Sequence, residues 1–159
     1  MSRNGTTTTS RKRIRVRTFV DTSGFYALAN RSDRHHLAAR AALAKRREWI
    51  TTDHVLVETW LLLRARLGYA AAIAFWDDLA HGLALVAGLS SSDLVRARQI
   101  AGEWRDQEFS LVDCTSFAII ERLGLTQALA FDQHFRIFRW GERRKRKLTL
   151  VHEESDRGA

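Results

Sequence analysis

Residues 14–25 read Ile14-Arg15-Val16-Arg17-Thr18-Phe19-Val20-Asp21-Thr22-Ser23-Gly24-Phe25. Ile14 to Val20 is rich in β-branched and aromatic residues, which favour extended backbone, and the run stops against an acid and two hydroxyl residues. It reads as a first strand closing at Asp21, with Thr22 or Ser23 capping a short helix through about Asn30.

The same alternation of strand and helix continues outward. A helix with one apolar stripe is expected over His35–Arg47, from Leu37, Ala41, Leu43 and Ala44. Trp49 to Thr52 is the second candidate strand, followed by a long helix capped at Asp53 and closed by Gly68. A further helix covers about Ala70–His81. Leu83 to Val86 is apolar without a helical period, as in a short buried strand. Ser91 or Ser92 caps a helix to about Glu108 whose buried stripe is Leu94, Ala97, Ile100, Ala101 and Trp104. Another helix runs from about Asp113 to Gly124. Gln127–Phe131 leads as a strand into Asp132, and Leu148–Val151 is a last strand. Connections long enough for crossovers favour an α/β fold with a mostly parallel sheet covered by helices on both faces.

At 159 residues the chain is long enough for one substantial core and too short for two ordinary domains. The single cysteine, Cys114, excludes an intrachain disulfide and a zinc site of several thiolates. No apolar run reaches the roughly 18 residues of a membrane span, and no secretory signal pattern opens the chain, so the cytoplasm is the expected location.

The formal net charge of +8 is concentrated at the ends: +6 over residues 1–17 and +5 over residues 139–147, with the body between close to neutral. Residues 1–13, with four consecutive threonines at Thr6–Thr9, read as a disordered basic leader. Residues 14–152 read as one folded domain and residues 153–159 as a flexible tail. Arg143, Arg144, Lys145, Arg146 and Lys147 suit a phosphate backbone, a partner protein or plain solubility equally well.

Four carboxylates stand where a parallel sheet gathers its ligands. Asp21 and Asp132 end strands, Glu58 lies one and a half turns into the helix after the second strand, and Asp113 opens a helix. Taken singly, Asp21 and Asp113 are explained equally well as helix caps. Glu58 sits among Val55, Leu56, Val57, Trp60, Leu61 and Leu62, so it is expected in or beside the packed body, where a glutamate without a cation or donor is costly. Acids crowded together take up protons unless positive charge intervenes. An all-oxygen donor set suits Mg²⁺ or Mn²⁺ rather than zinc. His35 and His36 read as surface residues. His134 is a candidate for substrate contact or loop orientation.

Phe19–Ser23, Thr51–Thr59, Ser110–Phe117 and Ala130–Phe135, in this order, resemble the PIN-domain ribonucleases, particularly the VapC-type toxins of bacterial toxin–antitoxin pairs. The resemblance spans roughly residues 16–151 and implies a three-layer α/β/α sandwich. It places the family's four acids on Asp21, Glu58, Asp113 and Asp132, as catalytic residues and ligands of Mg²⁺ or Mn²⁺. Ala130, Phe131 and His134 stand where members often carry a hydroxyl residue and a further acid or Asn. Thr22, Ser23 and Ser116 would be supporting donors. The implied activity is hydrolysis of RNA to 3′-hydroxyl and 5′-phosphate ends, with an antitoxin protein and a second copy of the chain as partners. The alternatives are a non-catalytic RNA-binding or protein-binding module on the same fold and another metal-dependent phosphohydrolase.

Overall fold

The computed structural model describes residues 15–153. The predicted leader, 1–13, and residues 154–159 of the predicted tail lie outside the described residues. The elements run β1 (Val16–Val20), α1 (Thr22–Ala29), α2 (His36–Ala44), β2 (Arg47–Thr52), α3 (Asp53–Leu67), α4 (Tyr69–Ala80) and β3 (Leu85–Ala87). They continue with α5 (Ser91–Glu103), α6 (Leu111–Leu123), β4 (Gln127–Leu129), α7 (Gln133–Ile137), β5 (Arg139–Trp140), β6 (Arg146–Lys147) and β7 (Thr149–Leu150).

Five strands form one wholly parallel sheet in the order β3-β2-β1-β4-β7. Thr18 of β1 pairs with Trp49 of β2 on one side and with Gln127 of β4 on the other. The chain works outward from β1 through β2 to β3, then returns to place β4 on the opposite flank. That reversal opens a crevice beyond the carboxyl ends of β1 and β4. Helices flank the sheet, with α3 against α4 and α5 against α6. Central strands must be apolar on both faces, and Phe19, Val20, Ala128 and Leu129 are accordingly buried. No helix among the described residues is long and apolar enough to cross a membrane.

Several local expectations are corrected. The predicted buried strand at 83–86 is β3, an edge strand paired only with β2, so Leu85 stays 58% exposed. Leu37 and Leu94 face outward, because α2 buries Ala39 and Ala42 while α5 buries Asp93, Ala97 and Ile100. Asp93 is inside because Arg122 of α6 pairs with it at 2.8 Å. The caps are Asp21, Thr52 and Ser90, each one residue or so before the predicted ones, since the cap is the last extended residue. α6 begins at Leu111 behind a Ser110 cap, not at Asp113. His35 and His36 are half-buried: His35 stacks on Phe131 at 4.2 Å, and the His36 ring meets the Ala27 carbonyl at 2.8 Å.

Residues 133–147 form α7 and an antiparallel β5–β6 hairpin. Trp140 anchors this hairpin, buried and stacked on Phe138 at 5.7 Å. Phe138 in turn lies flat on Phe117 at 4.0 Å.

Gly24 sets how closely α1 approaches the sheet. A Cβ there would lie 2.6 Å from the Leu129 carbonyl oxygen, in backbone that cannot rotate away. Gly24→Ala is therefore expected to push α1 off β4 and cost about 1–3 kcal/mol, the usual range for overpacking. A urea midpoint unchanged from wild type would refute it.

Candidate active site

Asp21 is the residue at which β1 stops and α1 starts, so its carboxylate is aimed across the sheet's carboxyl edge. Its Oδ2 accepts hydrogen bonds from the Ser23 backbone N–H at 3.1 Å and the Ser23 hydroxyl at 2.8 Å. The same hydroxyl accepts from the Phe131 N–H at 2.9 Å, tying the β1–α1 junction to the loop that carries Asp132. Asp21 is 4% exposed. Burial, reinforced by the negative charge of Asp113, pushes its pKa up to about 7 against the opposing hydrogen bonds from Ser23 and Thr22.

Glu58 projects from α3, half-buried, and accepts a 2.6 Å hydrogen bond from the Thr22 hydroxyl. Asp113, third in α6, closes a capping box: its N–H donates to the Ser110 hydroxyl at 3.0 Å and its Oδ2 accepts from the Ser110 N–H at 2.9 Å. The capping role and a site role thus coexist, with Oδ1 taking no hydrogen bond among the described residues. Asp132 caps α7 by accepting from the His134 N–H at 2.9 Å.

His134 completes the group. Its Nδ1 lies 2.8 Å from Asp113 Oδ2 and 3.6 Å from Asp132 Oδ1, and its ring rests against Phe109 at 5.0 Å. One donor atom from each of Asp113, Asp132 and His134 falls within 4.8 Å of the others, a spacing one metal ion can span. His134 thus joins the expected oxygen donors as a candidate nitrogen ligand. A cavity of about 370 Å³ brings Asp21, Glu58, Asp113, Asp132 and His134 together, and among the described residues no Lys or Arg lines it.

Thr22 and Ser23 serve as donors to Glu58 and Asp21, as the resemblance implies. Ser116 does not: its buried hydroxyl has no hydrogen-bond partner among the described residues. Glu108, which also lines the cavity, went unnoticed in the sequence. It holds a left-handed backbone, φ 52°, in the turn before Ser110, and an isolated polar residue between helices carries no periodic signal.

A fit to a divalent cation follows from these observations. Two carboxylate oxygens and an imidazole nitrogen converge, burial holds the pKa of the Asp21 carboxyl beside them up at about 7, and the described lining residues include no basic side chain.

Comparisons with known proteins place the fold in a family. Residues 18–140 match the PIN domain. The 23S rRNA-specific endonuclease VapC20 of Mycobacterium tuberculosis, in strains CDC 1551 / Oshkosh and ATCC 25618 / H37Rv, is 38% identical over 129 residues, 74% of this chain and 90% of the relative. Ribonuclease VapC26 of strain H37Rv is 23% identical over 122 residues, 76% of this chain and 90% of that protein. The crystal structure of M. tuberculosis VapC20, a sarcin–ricin loop cleaving toxin, superposes with a TM-score of 0.70 at 35% identity, covering 73% of this chain and 90% of that one. The chain belongs to the PIN-domain family and is VapC-like within it.

Proposed function

We propose that this protein is a metal-dependent endoribonuclease of the VapC type, with residues 14–152 as the nuclease domain between the basic leader and the tail. The observation that carries it is the one cavity shared by Asp21, Glu58, Asp113, Asp132 and His134, with no basic lining residue among the described residues. Ribosomal RNA is the first substrate to test, since the 38% identical relative is a 23S rRNA endonuclease. An antitoxin protein and a second copy of the chain are the proposed partners.

Asp113, Asp132 and His134 hold Mg²⁺ or Mn²⁺ in this reading, with Asp21 and Glu58 completing the surroundings. When bound, such an ion lowers the pKa of water and neutralises phosphate charge. Ser23 holds Asp21 through two hydrogen bonds to Oδ2. The Thr22 hydroxyl occupies Glu58 Oε1, which leaves Oε2 to orient the attacking water and take its proton. Water oxygen bonds to phosphorus as the bond to the 3′-oxygen breaks, and that oxygen is protonated from solvent. The products are a 3′-hydroxyl and a 5′-phosphate.

Purified protein incubated with ribosomal RNA is expected to cleave it with Mn²⁺ or Mg²⁺ and to stop when EDTA is added. Binding without cleavage in either metal would refute the nuclease reading. The nitrogen of His134 should favour Mn²⁺ over Mg²⁺. His134→Ala is expected to weaken Mn²⁺ binding at least about tenfold by calorimetry, comparable to the loss of a ligand-orienting group. Equal Mn²⁺ affinity in the variant would remove His134 from the ligand set.

A further inference from the structure

The carboxylate cavity presents a difficulty of its own: RNA is a polyanion, and among the described residues nothing basic lines the site to attract it. A neighbouring basic surface would supply that attraction. On an α-helix, residues two apart point about 200° from each other, so α7 carries His134 toward the carboxylates and Arg136 away from them. Arg136 opens onto a second cavity, of about 430 Å³, which it lines with Arg139, Lys147, Glu153 and the β7 edge strand.

Among the described residues, three cations face one carboxylate there, and the cations are set in place by the fold. Arg139 is opposite Lys147 in the β5–β6 register, so both leave the hairpin on one face. The next pair, Trp140 and Arg146, turns Trp140 into the core. Arg139 Nη1 donates to the carbonyls of Arg136, Ile137 and Phe138 at 2.6, 3.1 and 2.8 Å, which fixes its guanidinium at the end of α7. Arg136 pairs with Glu153, and Lys147 is exposed with no ion pair among the described residues. The tip of the hairpin is pinned as well: Arg144 lies over the Trp104 ring at 4.4 Å, and Arg143 and Arg144 hold left-handed backbone at φ 53° and 54°. Such strain persists where the surroundings determine the conformation. Trp104 packs on Phe109 at 5.7 Å, and Phe109 on His134. The hairpin, which with residues 139–147 carries +5, is thus joined by packed rings to the carboxylate site.

The geometry points to this cleft as a phosphodiester-backbone subsite for the RNA strand whose scissile bond lies on the other side of α7; it rests on RNA being the substrate. Contacts of this kind position the strand without reading its bases. Arginine and lysine suit phosphate oxygens, and their contribution carries a salt signature.

The test uses the full chain in EDTA with a short fluorescent single-stranded RNA, its affinity followed by anisotropy over a range of KCl concentrations. Lys147→Gln is expected to lower the slope of log K against log salt by about 0.7, and the pair Arg136→Gln, Lys147→Gln by about 1.4, one step for each phosphate no longer neutralised. Lys147→Arg should restore the slope, and urea midpoints should match wild type. In Mn²⁺ the variants should raise KM for RNA and leave kcat unchanged. An unaltered slope in the double variant overturns the subsite. So does RNA affinity unchanged while binding of poly-glutamate disappears, which would mark a surface for an acidic protein segment. Slope changes as expected without cleavage in any metal would sink the nuclease reading and support the subsite; normal cleavage with an unaltered slope would sink the subsite alone.

Discussion

Replacing Asp21 by Asn is expected to abolish RNA cleavage and, in the same molecule, to stabilise the metal-free protein at neutral and alkaline pH. The carboxyl is 4% exposed, and its folded pKa is raised to about 7, chiefly by burial and further by Asp113. In the unfolded chain an aspartate releases its proton near pH 3.9. Between those values the folded state holds a proton that the unfolded state has lost. Stability is therefore full below about pH 4, falls as pH rises and levels off above about 7. A shift of about three units corresponds to about 4 kcal/mol as an upper figure. Asparagine cannot ionise, yet its side-chain oxygen can still accept from the Ser23 N–H.

Asp21→Asn should therefore flatten the pH dependence and gain about 2–4 kcal/mol at pH 8, read by urea denaturation in EDTA. Mn²⁺ should raise the wild-type midpoint at pH 8 and change the variant far less. Cleavage should fall by at least about 10²-fold, the scale of losing one group that stabilises transition-state charge. Wild-type cleavage by the variant would remove Asp21 from the site, and a flat wild-type pH profile would contradict the buried-charge account.

The second large effect is structural. Phe117→Ala is expected to cost about 3–5 kcal/mol, the range for removing a buried phenylalanine. Phe117 has no exposed surface; its ring stacks on Phe138 at 4.0 Å and meets Phe135 and Phe109 edge-on at 4.9 and 5.0 Å. It lies one turn beyond Asp113 in α6, while Phe135 follows His134 in α7. Truncation removes the filling between the two helices whose first turns hold the candidate metal ligands. The melting temperature should fall by about 6–20 °C, at 2–4 °C per kcal/mol for a chain of this size. Phe117→Leu should recover much of the loss. A melting temperature within a degree or two of wild type would show that the cluster is not a keystone of the fold.

The capping residues show how far local sequence reaches. Asp21, Thr52 and Ser90 can be placed within a residue of where they stand, because a cap is a contest between neighbouring side chains and backbone. The four acids are legible as an ordered set at strand ends and helix starts, with Glu58 on a helix otherwise apolar; singly, Asp21, Asp113 and Asp132 find local partners in Ser23, Ser110 and the His134 N–H. His134 is different. Its ring contacts Asp113 across 21 positions, and no local pattern announces that meeting. Glu108 enters the cavity by a left-handed turn, and the β5–β6 hairpin forms because Trp140 finds Phe138 beneath it.

The sequence by itself determined the alternation of strand and helix, the parallel sheet and the four carboxylates, because periodicity, capping and the cost of burying charge act over a few residues. Tertiary structure alone decided the strand order, the exposed edge at β3, the meeting of His134 with Asp113 and Asp132, and the cationic cleft behind α7. Those features depend on which distant side chains share one space, and that is settled only when the sheet closes around β1 and the helices pack against it.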